Sequence, residues 1–182
     1  YRFDLDGTNQ VKIQASDGGA GDNFGYSIAV GSNRLVVGAR FEDDQGNDAG
    51  AAYVYNLDGT NEVKISETDL DPSDYFGAAV AVGDNKVVIG CGSYDGDTNQ
   101  VSQQGAVFVY NLDGTNKIKI QPSDGGTDDQ FGSAVAVGEG KIFVSAPYWD
   151  AGSLQNTGQV YAYDLDGTNE EKLIMPSAVA YD

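Results

Sequence analysis

The side chains best suited to chemistry in this 182-residue chain are carboxylates, set in loops between apolar runs. Asp95-Gly96-Asp97-Thr98-Asn99 puts oxygen-bearing side chains at alternate positions. That is a fragment of a calcium-loop pattern, without the Glu that would complete it. Asp95, Asp97 and Asn99 are therefore the candidate metal ligands, and Ca2+ is the cofactor that such acidic loops suggest. A second grouping is Tyr148-Trp149-Asp150, which holds the only Trp. An indole beside a carboxylate is a plausible pair for stacking on a sugar. With Tyr94, these three are the candidate ligand contacts. Each feature also has a plain structural reading: Trp149 as a cover over the end of a sheet, the aspartates as caps on backbone amides.

Other chemistry is poorly served. There is no His, so the commonest general base and its nucleophile pairs are missing. Paired carboxylates could hydrolyse a glycoside, but similar acidic loops recur along the chain and none stands out. Cys91 is the single cysteine, in the apolar run Val87-Val88-Ile89-Gly90-Cys91, where a small buried side chain is expected. The net charge of −18 argues against nucleic acid and against an anionic membrane surface. No stretch approaches the length of a membrane-spanning helix, so no membrane insertion is expected.

The elements that must position these loops repeat. Leu-Asp-Gly-Thr-Asn occurs at residues 5–9, 57–61, 112–116 and 165–169, a period of about 53 residues. Phe-Gly returns in the same rhythm at Phe24-Gly25, Phe76-Gly77 and Phe131-Gly132. A period of this size means supersecondary units that bury their apolar faces only against neighbours. Within a unit, four short strands are predicted. The first strands, 26–30, 78–82 and 133–137, are rich in small residues. The second strands, 35–38, 86–90 and 142–145, follow turns of Gly, Asn, Asp and Ser. The third strands, 51–55, 105–110 and 159–163, carry rings at alternate positions, expected to pack between units. The fourth strands, 62–65, 117–120 and 171–174, carry Lys64 and Lys119 on one face, as Lys12 is carried near the start. Charge on an exposed outer edge explains these lysines. Leu-Asp-Gly-Thr-Asn reads as turn chemistry, with Gly and Asn supplying positive φ.

Four antiparallel strands per unit is the blade of a β-propeller, and the fold class is all-β. The residues quoted resemble the FG-GAP repeat family, the blades of integrin α-subunit heads and of bacterial, algal and viral surface proteins. Phe-Gly is intact three times. The Gly-Ala-Pro element is partial, as Gly38-Ala39-Arg40, Gly90-Cys91-Gly92 and Ser145-Ala146-Pro147. The calcium loop that integrin blades often carry between first and second strands is not carried over. Here that connection is only Gly31-Ser32-Asn33, Gly83-Asp84-Asn85 or Gly138-Glu139-Gly140, too short to wrap a calcium ion.

The units divide the chain into an outer half-blade (1–14) and blades at 15–66, 67–121 and 122–182. About three and a half blades cannot close a ring, so they are expected to belong to a larger one of roughly seven. Further repeats of the same polypeptide, or other copies, would complete it. The resemblance implies a non-enzymatic binding, adhesion or structural module, at a cell or virion surface or otherwise extracellular. Loops 41–49, 94–104 and 148–157 would face protein or glycan. The alternative is a polysaccharide-acting enzyme or carbohydrate-binding accessory domain built on Trp149 and the acidic loops.

Overall fold

The structure is a computed structural model, and it describes residues 1–68, 70–95 and 102–173. Its strands fall into three sets. The first is β1 (Ser27–Gly31), β2 (Arg34–Ala39), β3 (Ala51–Asn56) and β4 (Val63–Ile65). The second is β5 (Ala79–Gly83), β6 (Lys86–Cys91), β7 (Ala106–Asn111) and β8 (Ile118–Ile120). The third is β9 (Val135–Gly138), β10 (Lys141–Ala146), β11 (Gln159–Asp164) and β12 (Glu171–Lys172). Each set is one four-stranded antiparallel sheet in chain order, and no described residue is helical. These are three propeller blades, as expected.

Local chemistry accounts for the pairing. The first two strands of each blade are joined by two residues in the left-handed region: Ser32 and Asn33 (φ 49° and 56°), Asp84 and Asn85 (49° and 59°), Glu139 and Gly140 (55° and 75°). Such a turn matches the twist of the strands it joins. In the Leu-Asp-Gly-Thr-Asn turn, Asp58 accepts hydrogen bonds from Thr60 N at 3.0 Å and Thr60 Oγ1 at 2.6 Å, while Gly59 and Asn61 take positive φ. The third blade starts its first strand late. There the Ala134 N–H donates to Ser145 Oγ at 2.9 Å, and strand geometry begins only at Val135.

Apolar residues gather into clusters that lie between blades. One joins Val36, Val54 and Ile65 of the first blade to Phe76, Val80, Val82 and Phe108 of the second. The next joins Ala81, Val88, Val109 and Ile120 to Phe131, Ile142, Tyr161 and Tyr163. Alternation along each strand supplies both: Val80 and Val82 face the preceding blade, while Ala81 faces the following one. The ring stripe of the third strands therefore packs between units, with Tyr53, Phe108 and Tyr161 at 0 % exposure. Phe76 meets Phe108 edge-on at 5.3 Å, and Phe131 meets Tyr161 likewise at 5.3 Å. Cys91 is fully buried, and its thiol donates to the Asp74 carbonyl at 3.2 Å.

The join is closest at backbone. Phe-Gly of the second and of the third blade docks on the Gly-Ala that opens the third strand of the blade before it, through the parallel bridges Gly50↔Phe76 and Gly105↔Phe131. A Cβ on Gly50 would lie 2.1 Å from Phe76 O, and one on Gly77 would lie 2.3 Å from Ala51 O. Glycine at these positions is a packing requirement as well as a conformational one.

Residues 1–13 depart from expectation. They were expected to supply two strands of an outer half-blade, but they form only the isolated bridge Arg2↔Val11. In the complete blades the third strand is held by a second strand on its other edge, as Tyr53 is by Val37. Residues 1–13 have no such inner partner, and nothing extends the pairing beyond one rung.

Candidate functional site

One constellation recurs where the second strand turns into its loop. A lysine of the fourth strand reaches back to an aspartate that precedes the first strand of its blade, and a tyrosine of the third strand shares that aspartate. In the third blade Lys172 Nζ lies 2.5 Å from Asp124 Oδ2, and Tyr161 OH donates to Asp124 Oδ1 at 2.9 Å. In the first blade Lys64 Nζ lies 2.6 Å from Asp17, and Tyr53 OH donates to the same carboxylate at 2.9 Å. Burial works against the charge on Asp17 and Asp124, but the donors outweigh it and hold both below the usual carboxylate range. The fourth-strand lysines are thus anchors for loops from distant segments. The edge-charge reading of Lys64 and Lys119 is corrected, because Lys119 Nζ also has a partner, Tyr94 OH at 3.2 Å.

A slot beside each lysine differs from blade to blade, holding Glu42, Tyr94 or Trp149. Trp149 is half-buried, and its Nε1 donates to Asp124 Oδ2 at 3.0 Å, with Lys172 Nζ 5.8 Å from its ring. It braces the loop, and its carbonyl accepts from Thr157 N and Gly158 N at 2.9 and 3.1 Å. Tyr94 is 5 % exposed and meets Phe108 edge-on at 6.1 Å. Its ring offers no free face for a ligand, which corrects its place among the contacts. Tyr148 is 46 % exposed, and Asp150, also exposed, accepts from Asn156 N at 2.7 Å. Tyr94 lies in the second blade and the other three in the third, so no single site gathers them.

The metal candidates divide similarly. Asp95 Oδ1 accepts from Gln103 N at 2.8 Å, the cap of its own loop. Asp97 and Asn99 lie outside the described residues. The carboxylates that do converge among the described residues are Asp17, Glu42 and Asp44, with ligand atoms within 4.8 Å of one another. The sequence alone did not bring them together, since Asp17 is far along the chain. An ammonium already joins them: Lys64 Nζ lies 2.6, 2.8 and 2.7 Å from Asp17, Glu42 and Asp44. Burial disfavours the charge on Lys64, and three acidic partners override it and raise its pKa well above the usual range. Glu42 is 3 % exposed, and burial raises its pKa.

A further set of acids lies in the loops before Phe-Gly. Asp22, Asp74 and Asp129 each stand two residues before Phe-Gly and are all buried. They accept from Gly19 N (2.6 Å), Asp71 N (2.8 Å) and Gly126 N (2.6 Å) and so close the turn that delivers Phe-Gly. Their threefold recurrence was the available signal. Burial pushes Asp74 up to about 7 from an ordinary 3.8. The folded chain therefore binds this proton more tightly than the unfolded chain. The stability it contributes is full below the ordinary value and is lost as pH rises through about 7. Thermal melts of the parent and Asp74→Asn should show the parent losing stability relative to the variant between about pH 4 and 7. A constant difference across that interval would contradict the assignment.

The arrangement defines a class: a repeat module of propeller blades, joined plug to socket, with variable loops on a uniform frame. The FG-GAP repeat family model matches residues 8–55, 60–110 and 115–163, and the chain belongs to that family. No curated protein matches the chain.

Proposed function

We propose that the chain is a non-enzymatic binding or structural module of a protein that works outside the cell, at a cell or virion surface. Its contacts with protein or glycan are made by the loops between second and third strands, residues 41–49, 94–104 and 148–157. The observation that carries this reading is the contrast between frame and slot. The two Phe-Gly joins are built alike, as are the turns of the blades, whereas the slot beside the fourth-strand lysine holds Glu42, Tyr94 or Trp149. Variation on a fixed scaffold is where specificity resides. Tyr148, close to half exposed beside Asp150, is the ring best placed for contact. The occurrence of FG-GAP repeats in extracellular proteins generally supports the location.

The test is a binding survey on immobilised glycans and surface proteins with the parent and a Tyr148→Ala, Asp150→Asn variant. Asp150→Asn keeps an acceptor for Asn156 N, so the fold should hold. Binding should fall about tenfold or more with the melting temperature unchanged, as expected for loss of an aromatic contact. Turnover of any polysaccharide by the parent would overturn the non-enzymatic reading. Binding that survives the variant would remove this loop from the contact surface.

A further inference from the structure

The first blade leaves open the same face that the second and third blades bury. Ile28 and Val30 are 65 % and 66 % exposed, while their equivalents Val80 and Val82 are 9 % and 7 %. Phe24 is half-buried, where Phe76 and Phe131 are at 0 %. Nothing lies within 4 Å of a Cβ built on Gly25, the plug glycine that in Gly77 and Gly132 touches the preceding blade. An apolar groove of about 610 Å³ results, lined on one side by Tyr1, Phe3 and Ile13 and on the other by Ile28, Val30 and Val37.

Residues 1–13 already hold the outer position of a blade. A Cβ on Gly59 would lie 3.0 Å from Ile13, just as one on Gly114 would lie 3.2 Å from Val63 and one on Gly167 3.0 Å from Ile118. The unfilled place is that of two inner strands. In both internal joins that place is taken by the first hairpin of the preceding unit: β1–β2 lie against β5, and β5–β6 lie against β9.

We propose that this groove is a docking site for a β-hairpin of the chain's own repeat type, which adds two strands inside residues 1–13 and completes a four-stranded blade. Main-chain pairing to residues 1–4 would supply affinity, and small and β-branched side chains would cover Ile28 and Val30. The hairpin must carry glycine at the last position but one of its second strand. A Cβ on Gly38 would lie 2.0 Å from Gly77 O, and one on Gly90 would lie 2.1 Å from Gly132 O. The open face of the third blade does not meet this requirement, because Ser145 stands at the equivalent position. That serine argues against the third blade of a second copy as the occupant.

The test extends the full chain at its amino terminus with a copy of residues 24–52, so that the copied Ala52 precedes Tyr1 as it precedes Tyr53. Amide hydrogen exchange of residues 1–4 and 27–31 and the melting temperature are read. The extended chain should exchange about tenfold or more slowly in both segments and melt several degrees higher. A second extension with Val replacing the copied Gly38 keeps strand propensity but blocks close approach, and it should exchange like the parent. The proposal fails if the first extension gives no protection or if the valine version protects equally. It also fails if the unextended chain dimerises in sedimentation and Ile28→Asp abolishes the dimer, since the occupant would then be another copy.

Discussion

Gly105→Ala should cost about 4 kcal/mol or more, enough to unfold many domains of this size, while Gly158→Ala costs about 1 kcal/mol. The two glycines occupy the same place in successive blades and share the left-handed conformation, φ 85° and 72°. Both substitutions therefore carry the strain of a side chain at positive φ. They differ in what lies across from them. A Cβ on Gly105 would stand 2.0 Å from Phe131 O and 2.5 Å from Phe131 N, whereas at Gly158 the nearest atom is Pro147 O at 3.2 Å. The backbone of Phe131 cannot retreat without withdrawing a ring that is fully buried against Tyr161. Urea unfolding of the pair separates conformational strain from contact. Equal penalties would sink the account of the join given above.

Lys64→Met should destabilise the chain by about 3 kcal/mol at neutral pH. The substitution keeps the length of the stem and removes the one charge that holds Asp17, Glu42 and Asp44 together. Glu42 suffers most, because it is nearly inaccessible to water and one of its carboxylate oxygens has no partner even with the lysine present. An uncompensated carboxylate there must either take up a proton or open the loop. Lys12 provides the comparison, since it is exposed and Lys12→Met should change stability by about 0.5 kcal/mol or less. Adding Glu42→Gln to Lys64→Met should recover part of the loss in the same denaturation assay. A Lys64→Met chain as stable as the parent would show the cluster to be ornamental.

The frame was legible because its signals are local. Leu-Asp-Gly-Thr-Asn states its own turn, alternation in Val80-Ala81-Val82 assigns two opposite faces, and Tyr53 with Tyr55 gives a stripe that only a neighbouring blade can cover. Two-residue turns such as Asp84-Asn85 fixed the register of the hairpins. The site was less legible because its partners are remote in sequence. Alternation puts Lys64 and Lys119 on one face but does not say what crosses to meet them, and Asp17 reaches Lys64 from the segment before β1. Tyr94 looked like a contact residue in a loop. Its burial depends on Phe108 and Lys119, both supplied by later strands. Asp74 looked like one acid among many, and only the fold shows that it is sealed beneath Phe-Gly. Residues 1–13 match residues 53–65 at nine of thirteen positions, yet matching letters do not supply the strand that would hold them.

The placement of two apolar clusters between adjacent sheets bears on how such chains lengthen. In the first and second units the plug and the socket lie on opposite sides, so a gene that copies either unit whole creates a matched join in the same event. A point change at either side of a join is heard at once and is answered only by the adjacent module.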